Sequence, residues 1–470
     1  MRVLLIQPPE KNTAASIIPK YVAEQSGSYP PLGLMYVAAA VPAAEHEVSI
    51  LDAELEHLSY GDIRERIRVY APDLVGITAT TFTIVDALET AKAAKAANPA
   101  VHVCVGGPHT SIYPAETLAW PEVDSIVVGE GERTFPELLA RLAKKEGLEG
   151  VAGVWFKRGG ATVVNKPREF VEDMASVAFP ARRLVDFSRY RSILGGGGIF
   201  TTIMSSRGCP FNCLYCYHAF GKRFRMHSVG YMIAEIKSCL AAGIREFWYF
   251  DDNFTVDRRR LLSFCETVIA EKLHIVWHIR TRIDLLDRVV MEKLRAAGCM
   301  RMSIGVESGV EKTIKTLRKK IDLGQVRENI KLAKALGFEI YLDFMIGSPG
   351  ETREEILRTV AYAIELDPDY AQFAVTIPYP DTDLYREGFR NGTIKEDYWA
   401  SFAAAPAPGF RPPTLNEFME RAELEELLNL AYRKFYFRPG YILRRIFSVR
   451  SPAEFLGKAR AAFTVFRESR

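Results

Sequence analysis

The sequence predicts an α/β protein with two parallel-sheet units: a Rossmann- or flavodoxin-like open sheet, then a partial (β/α)6 barrel of the TIM type with a mostly helical C-terminal tail. Three observations carry the prediction. Short apolar runs alternate with helical stretches over the first 145 or so residues. A second strand-then-helix series, six units in about 175 residues, runs from Thr201 to Thr376. Glycine-rich and small-residue segments follow the strands, where open sheets and barrels place their ligands.

The expected strands of the first unit (1–145) are Val3–Ile6, Val48–Leu51, Leu74–Thr78, Val101–Val105 and Ser125–Val128. Helices are expected near Leu32–Val41, Gly61–Val69, Thr83–Ala97 and Phe135–Lys144, so crossovers cover both faces. Gln7-Pro8-Pro9, Thr78-Ala79-Thr80-Thr81, Gly106-Gly107-Pro108-His109 and Gly129-Glu130-Gly131-Glu132 fall at the carboxyl ends of strands. Residues 146–200 read as a connector, with a hairpin turning at Lys157-Arg158-Gly159-Gly160. The barrel (201–376) has strands at Thr202–Ser205, Glu246–Phe250, Ile275–Ile279, Arg301–Val306, Glu339–Ile346 and Tyr370–Thr376. Residues 377–470 form the substrate-covering, helical remainder.

The chain has 470 residues, 48% apolar and 25% charged, which is ordinary for a globular protein with two or three cores. A net charge of +3 gives no reason to expect nucleic-acid binding. The first apolar run is too short for a secretory signal, and no stretch reaches the ~18 apolar residues of a membrane span. A reducing cytoplasm is expected. The tail differs: Arg433 to Arg470 holds ten Lys/Arg against two Asp/Glu, mixed with bulky apolar residues. It reads either as a capping helix on the barrel or as a peripheral membrane contact.

The strongest chemical signal is Cys209-x3-Cys213-x2-Cys216, with Tyr215 before the last cysteine. Three thiolates on one loop can hold three irons of a 4Fe–4S cluster and leave the fourth open to a ligand. The alternative is a Cys3His zinc site using His218. Seven cysteines, an odd number, and no secretory segment argue against disulfides.

This loop after the first barrel strand resembles the signature of the radical S-adenosylmethionine (SAM) family. The resemblance implies that the open iron grips the methionyl amine and carboxylate, and that reductive cleavage gives a 5′-deoxyadenosyl radical. An electron donor such as flavodoxin or ferredoxin follows. It also implies that Tyr215 packs on the SAM adenine, and that Asp251, Asp252 and Asn253 after the second strand bind the amine through backbone and one carboxylate. An N-cap for the following helix is the other reading of those three. Arg280 is the expected partner of the SAM carboxylate, or a plain surface arginine. On the fourth strand Ser303, Gly305 and Glu307 share a face; the ribose hydroxyls are the family's partner for the glutamate, a buried salt bridge the alternative. Gly347, in Ile346-Gly347-Ser348-Pro349-Gly350-Glu351, falls in what resembles the adenine-side turn.

An open sheet ahead of such a barrel resembles the cobalamin-binding radical SAM subgroup. The matching residues are Pro30-Pro31-Leu32-Gly33-Leu34, Val75-Gly76-Ile77-Thr78, Val105-Gly106-Gly107-Pro108-His109 and Gly129-Glu130-Gly131-Glu132. Cobalamin contacts are thereby expected at Leu32, Gly33, Thr78, Thr80, Gly106, Gly107, Pro108, His109, Gly129, Glu130, Gly131 and Glu132. The D-x-H-x-x-G motif that supplies a cobalt ligand is absent, as is common in the subgroup, so the resemblance implies base-off cobalamin and His109 is not assigned to cobalt. Residues 377–383 resemble a family loop with glycine where Asp381 stands, which leaves its conformation open.

The expected function is methyl transfer from methylcobalamin to an unactivated carbon. Oxidative cyclisation or rearrangement, as in the anaerobic magnesium-protoporphyrin monomethyl ester cyclase group, is the main alternative; a non-catalytic cobalamin or iron–sulfur sensor is a third. Phe402, Phe410 and the basic aromatic tail point to a large apolar small molecule such as a lipid, terpenoid or tetrapyrrole.

Overall fold

The computed structural model describes residues 1–14, 27–190 and 198–447, so the end of the basic tail lies outside the described residues. Strands β1 (Arg2–Gln7), β2 (Glu47–Asp52), β3 (Leu74–Thr78), β4 (His102–Gly106) and β5 (Ser125–Val127) form a parallel sheet. Strands β6 (Val154–Arg158) and β7 (Ala161–Val164) extend it antiparallel, in the order β2-β1-β3-β4-β5-β6-β7. The hairpin read as part of the connector therefore completes the first sheet. Strand order reverses between β1 and β3, which opens a crevice at their carboxyl ends.

The second sheet is wholly parallel. Its strands are β8 (Phe200–Ile203), β11 (Glu246–Tyr249), β12 (Val276–Thr281), β13 (Cys299–Glu307), β14 (Glu339–Ile346) and β15 (Tyr370–Val375), each beside its chain neighbour. Between β8 and β11, the short pair β9 (Ser206–Arg207) and β10 (Arg225–Met226) closes the base of the cysteine loop. Residues of β14 and β15 alternate between buried and partly exposed, the pattern of a curved sheet with a filled outer face and an accessible lumen.

A partial barrel leaves an edge. Here β15 is one of the sheet's two edges, β8 being the other, and helix Arg421–Tyr436 covers it. The Tyr432 hydroxyl accepts from the Phe373 N–H at 3.1 Å and donates to the Phe373 carbonyl at 3.0 Å. One helical turn on, Tyr436 does the same for Ala371, at 3.1 and 2.8 Å. Two phenols thus satisfy backbone groups that a seventh strand would pair. The Tyr432 pair is buried and the Tyr436 pair half-buried, so Tyr432→Phe and Tyr436→Phe are each expected to lower unfolding free energy by about 1–3 kcal/mol in urea titrations, the first by more. Unchanged midpoints would show the edge to be satisfied otherwise. Past this helix, Arg438 donates to the Ile364 carbonyl and Tyr441 to that of Asp369, so the tail through these residues caps the barrel.

The two units share one apolar seam. Ile6, Ile77 and Val105 of the first sheet belong to the same buried cluster as Leu214 of the cysteine loop and Ile377, Leu384, Trp399 and Phe402 of the C-terminal region. Trp120 Nε1 donates to the Ala403 carbonyl at 3.2 Å, and Asp397 accepts from both Tyr113 and Tyr385. Asp381 adopts the left-handed conformation of the glycine it replaces (φ 60°), which a short carboxylate side chain tolerates, and it pairs with Arg386.

Candidate active site

The cysteine loop leaves β9 through Gly208, where φ is +84° and a Cβ would collide with the Arg223 carbonyl. Only glycine turns the chain there. Leu214 anchors the loop on both sides: its N–H reaches the Leu317 carbonyl at 3.0 Å and its carbonyl receives the Leu384 N–H at 2.8 Å. Cys213 is buried, while Cys209 and Cys216 are partly exposed. A hydrogen bond from the Cys216 thiol, then the Lys319 and Arg282 charges, pull the Cys213 thiol down to about 6 against the opposing effect of burial. Arg282 Nη1 lies 3.5 Å from Cys213 Sγ and its guanidinium stacks on Phe211. Cys213, set between two cations, favours the thiolate, the form that binds iron, and three thiols on one anchored loop fit a cluster. Among the described residues no three His, Cys, Asp or Glu side chains converge on a single ion. Thiols that each bind a different iron need not do so.

Asp251 and Asp252 have separate jobs. Asp251 is fully buried and accepts from Ser205 N, Ser205 Oγ and Ser206 Oγ at 2.7, 2.6 and 2.5 Å. It pins the chain entering the cysteine loop, so Asp251 is not the one carboxylate expected at an amine. Asp252 is exposed, and its carboxylate accepts from the Gly208 N–H beside Cys209; burial of its surroundings and Asp251 push it up. It is the carboxylate of the two that is open to an ammonium group. Asn253 is buried with Oδ1 toward Thr255 and Nδ2 without a protein partner among the described residues. Arg280 is exposed at the mouth and stacks 4.9 Å from Phe250.

Glu307 takes the alternative reading. Its φ is +70°, and the side chain folds back over Gly305, where a Cβ would strike Glu307 Oε1. Tyr215 donates to that oxygen at 2.7 Å and Lys319 at 2.9 Å, while Lys319 also reaches the Tyr215 hydroxyl at 3.1 Å. The buried pair therefore fixes Tyr215 at the mouth. Gly347 is covered on its Cα side by Leu424, 2.8 Å from a built Cβ, so helix Arg421–Tyr436 leaves only its backbone for a ligand. Ser303 is partly exposed in the lumen and pairs in register with Arg280 and Tyr341.

In the first unit, Thr78, Thr80, Gly106, Gly107 and Gly129 are partly exposed at the strand ends. Gly107 (φ +102°) allows the β4 turn to press on Ala79, whose carbonyl would sit 2.7 Å from a Cβ. Beside Gly33 and Gly129 a Cβ would meet nothing within 4 Å, so backbone there is open to a large ligand. Gly131 opens the helix Gly131–Ala143 beneath Val37, and Pro108 is exposed at the start of a short helix. Leu32 packs with Val171, Met174 and Val177 of the connector. His109 is buried, bonded through Nδ1 to Thr81 at 3.0 Å, with Nε2 unpartnered among the described residues; burial holds it down to about 3, hence neutral. Open backbone and an unused imidazole nitrogen beside the crevice fit a bulky cofactor tail rich in hydrogen-bonding groups.

Glu130 and Glu132 are a correction. Their carboxylates are bound by the barrel: Arg207 pairs with Glu130 at 2.9 Å and with Glu132, and Arg225 pairs with Glu130 at 2.9 Å. Burial of four charges is tolerable because each is paired, and the network locks the first unit to the foot of the cysteine loop.

Sequence reading missed Tyr29, Lys319 and Asp343. Tyr29 inserts between Phe200, Trp248 and Phe250 at ring distances of 5.8, 5.6 and 5.3 Å. Asp343 stands alone in the apolar run of β14, the same signal that singled out Glu307.

A three-thiol loop at the mouth of a parallel half-barrel, facing the open crevice of a second α/β sheet, defines an enzyme with two cofactor-binding units. The B12 binding domain family matches residues 19–139 and the Radical SAM superfamily residues 203–363. An uncharacterized methyltransferase of Pyrococcus horikoshii is 35% identical over 95% of both chains. The anaerobic magnesium-protoporphyrin IX monomethyl ester cyclase of Rubrivivax gelatinosus is 28% identical over 94% of this chain and 78% of its own. The fold is similar to that of the radical SAM methyltransferase TsrM from Kitasatospora setae, with TM-score 0.71 and 17% identity over 93% of this chain and 89% of that one. The chain belongs to the radical SAM enzymes that carry a B12-binding domain, whose cofactors are a 4Fe–4S cluster, SAM and cobalamin. Among the described residues no helix is long and apolar enough to cross a membrane.

Proposed function

We propose that this enzyme transfers a methyl group to an unactivated carbon of a small molecule with a large apolar part. The observation that carries the reading is the 35% identity, over 95% of both chains, with an uncharacterized methyltransferase. When bound, the cluster, SAM and cobalamin supply the 5′-deoxyadenosyl radical and the transferable methyl group. The chain's residues hold and orient them. Cys209, Cys213 and Cys216 ligate the cluster; Asp252 receives the SAM ammonium and Arg280 its carboxylate. Tyr215, braced by Glu307 and Lys319, lies against the adenine. Leu32, Gly33, Thr78, Thr80, Gly106, Gly107, Pro108, His109 and Gly129 line the cobalamin side, with no protein histidine on cobalt. Phe82, Tyr379 and Phe410 are partly exposed on the apolar seam and suit a greasy substrate that excludes water. A hopanoid C-3 methylase is 26% identical over 86% of this chain. A flavodoxin or ferredoxin is the fitting electron source, and the basic tail remains a candidate membrane contact.

The second reading is oxidative cyclisation, favoured by the cyclase relative matched over 94% of this chain. Anaerobic turnover of the reconstituted enzyme with small-molecule extracts separates the two. A methylase forms S-adenosylhomocysteine and 5′-deoxyadenosine together; 5′-deoxyadenosine alone would sink the methylase reading.

A further inference from the structure

We infer that Asp343 is a substrate-recognition residue: inside the barrel lumen its carboxyl group receives a hydrogen-bond-donating nitrogen or oxygen of the substrate. The inference rests on the preceding reading only in taking the lumen as the reaction chamber. Strand register places Asp343 between Gly305 of β13 and Gln372 of β15, all three partly exposed toward the lumen. One layer away stand Arg280, Ser303, Tyr341 and Tyr370.

Among the described residues none donates a hydrogen bond to Asp343 or pairs with it, although the groups around it are engaged. Lys319 is committed to Glu307 and Tyr215. The Tyr341 hydroxyl donates to Gln372 Oε1 at 2.5 Å. Arg280 stacks on Phe250 at the mouth. The Glu307 carboxylate adds negative charge. Burial first, then Glu307, push Asp343 up to about 7, against the opposing pull of Arg280 and Lys319. A carboxyl group half-buried in the lumen, with Glu307 adding negative charge and no protein donor, is poorly compensated for the solvent it loses. Asparagine would fill the same space without that cost. A ligand that brings an N–H or O–H removes it, and at this depth that ligand is the substrate. The substrate then enters polar end first, leaving its apolar body beneath Phe82 and Tyr379.

The test is binding to the reconstituted holoenzyme, wild type and Asp343→Asn, read by thermal unfolding at neutral pH with hexylamine, hexanol and hexanoate at equal concentration. Stabilisation of the wild type by the amine or the alcohol, absent in the variant, supports the inference, and the probe that acts identifies the donor as nitrogen or oxygen. Equal responses in both proteins, no response to either donor, or a response to hexanoate overturns it. SAM affinity is measured alongside: a change within twofold is expected, and a tenfold loss would assign Asp343 to SAM instead. A second readout needs no ligand. The folded protein keeps a proton that the unfolded chain releases above about pH 4, so wild-type stability should fall as pH rises from about 4 to about 7. The variant should lack that component; an identical slope would mean that Asp343 ionises as freely as in the unfolded chain, and would overturn the inference. None of these measurements requires methyl transfer, so they fail independently of the methylase reading.

Discussion

Arg207→Ala is expected to destabilise the enzyme by about 3–5 kcal/mol and to loosen the first unit from the barrel. The Arg207 side chain is 3% exposed, and it holds Glu130 and Glu132, themselves 5% and 12% exposed. Truncation strips Glu132 of its cation and leaves Glu130 with Arg225 alone. Buried carboxylates without partners carry the full desolvation penalty, and the guanidinium's packing 5.3 Å from the Tyr36 and Phe220 rings is lost as well. Arg207 is also the last residue before the Gly208 turn, so iron incorporation should fall with stability. Arg207→Lys restores charge but not the fork that reaches two carboxylates, and should recover only part of the loss. Urea unfolding and limited proteolysis between the units check this; a loss under about 1 kcal/mol would show that the network is solvated enough to be dispensable.

That network shows why some features were legible in the sequence and others were not. The strands of both sheets could be read because each is a short apolar run followed by a turn or helix signal, and the observed β3 and β14 match the expected Leu74–Thr78 and Glu339–Ile346. The cysteine loop was legible because its chemistry depends on local spacing. Glu130 and Glu132 looked like ligand-edge residues because Gly129-Glu130-Gly131-Glu132 is locally what such an edge looks like; their partners Arg207 and Arg225 lie 77 and 95 residues away. Lys319 sits in Arg318-Lys319-Lys320, which reads as a solvated basic run, yet its side chain is 8% exposed and bonded to Glu307. Asp251 and Asp252 are adjacent in sequence, but in the loop after β11 the bonds to Ser205 and Ser206 turn one into the protein and leave the other outward. Tyr432 and Tyr436 could be placed on one helix face, but not over an edge strand whose exposure follows from the barrel being incomplete.

Cys213→Ala is expected to reduce bound iron from about four per chain to near zero and to abolish SAM cleavage, with the fold retained. In the proposed ligation each thiolate holds one iron, and two remaining ligands on an anchored loop leave a second iron without protein support. Cys213 is the member most committed to the role. It is the buried one of the three, it lies 3.5 Å from Arg282, and its environment favours the thiolate, whereas burial raises Cys209 and the hydrogen bond to Cys213 raises Cys216. Leu214, next in the chain, is held from both sides, so the backbone of the variant has no freedom to bring another donor inward. Cys239, buried in the helix Val229–Ala241, and Cys265, buried in the helix Arg258–Ala270, are the controls; their alanine variants should keep full iron content. Iron and zinc analysis of anaerobically purified protein, with far-ultraviolet circular dichroism for the fold, decides the matter. One zinc per chain in the wild type, lost together with Cys213, would restore the mononuclear reading with His218 and remove the basis for radical chemistry. Four irons retained in the variant would mean that the cluster is held elsewhere. Loss of iron in Cys213→Ala alone, with cobalamin still bound by the first unit, would establish that the two cofactor sites load independently.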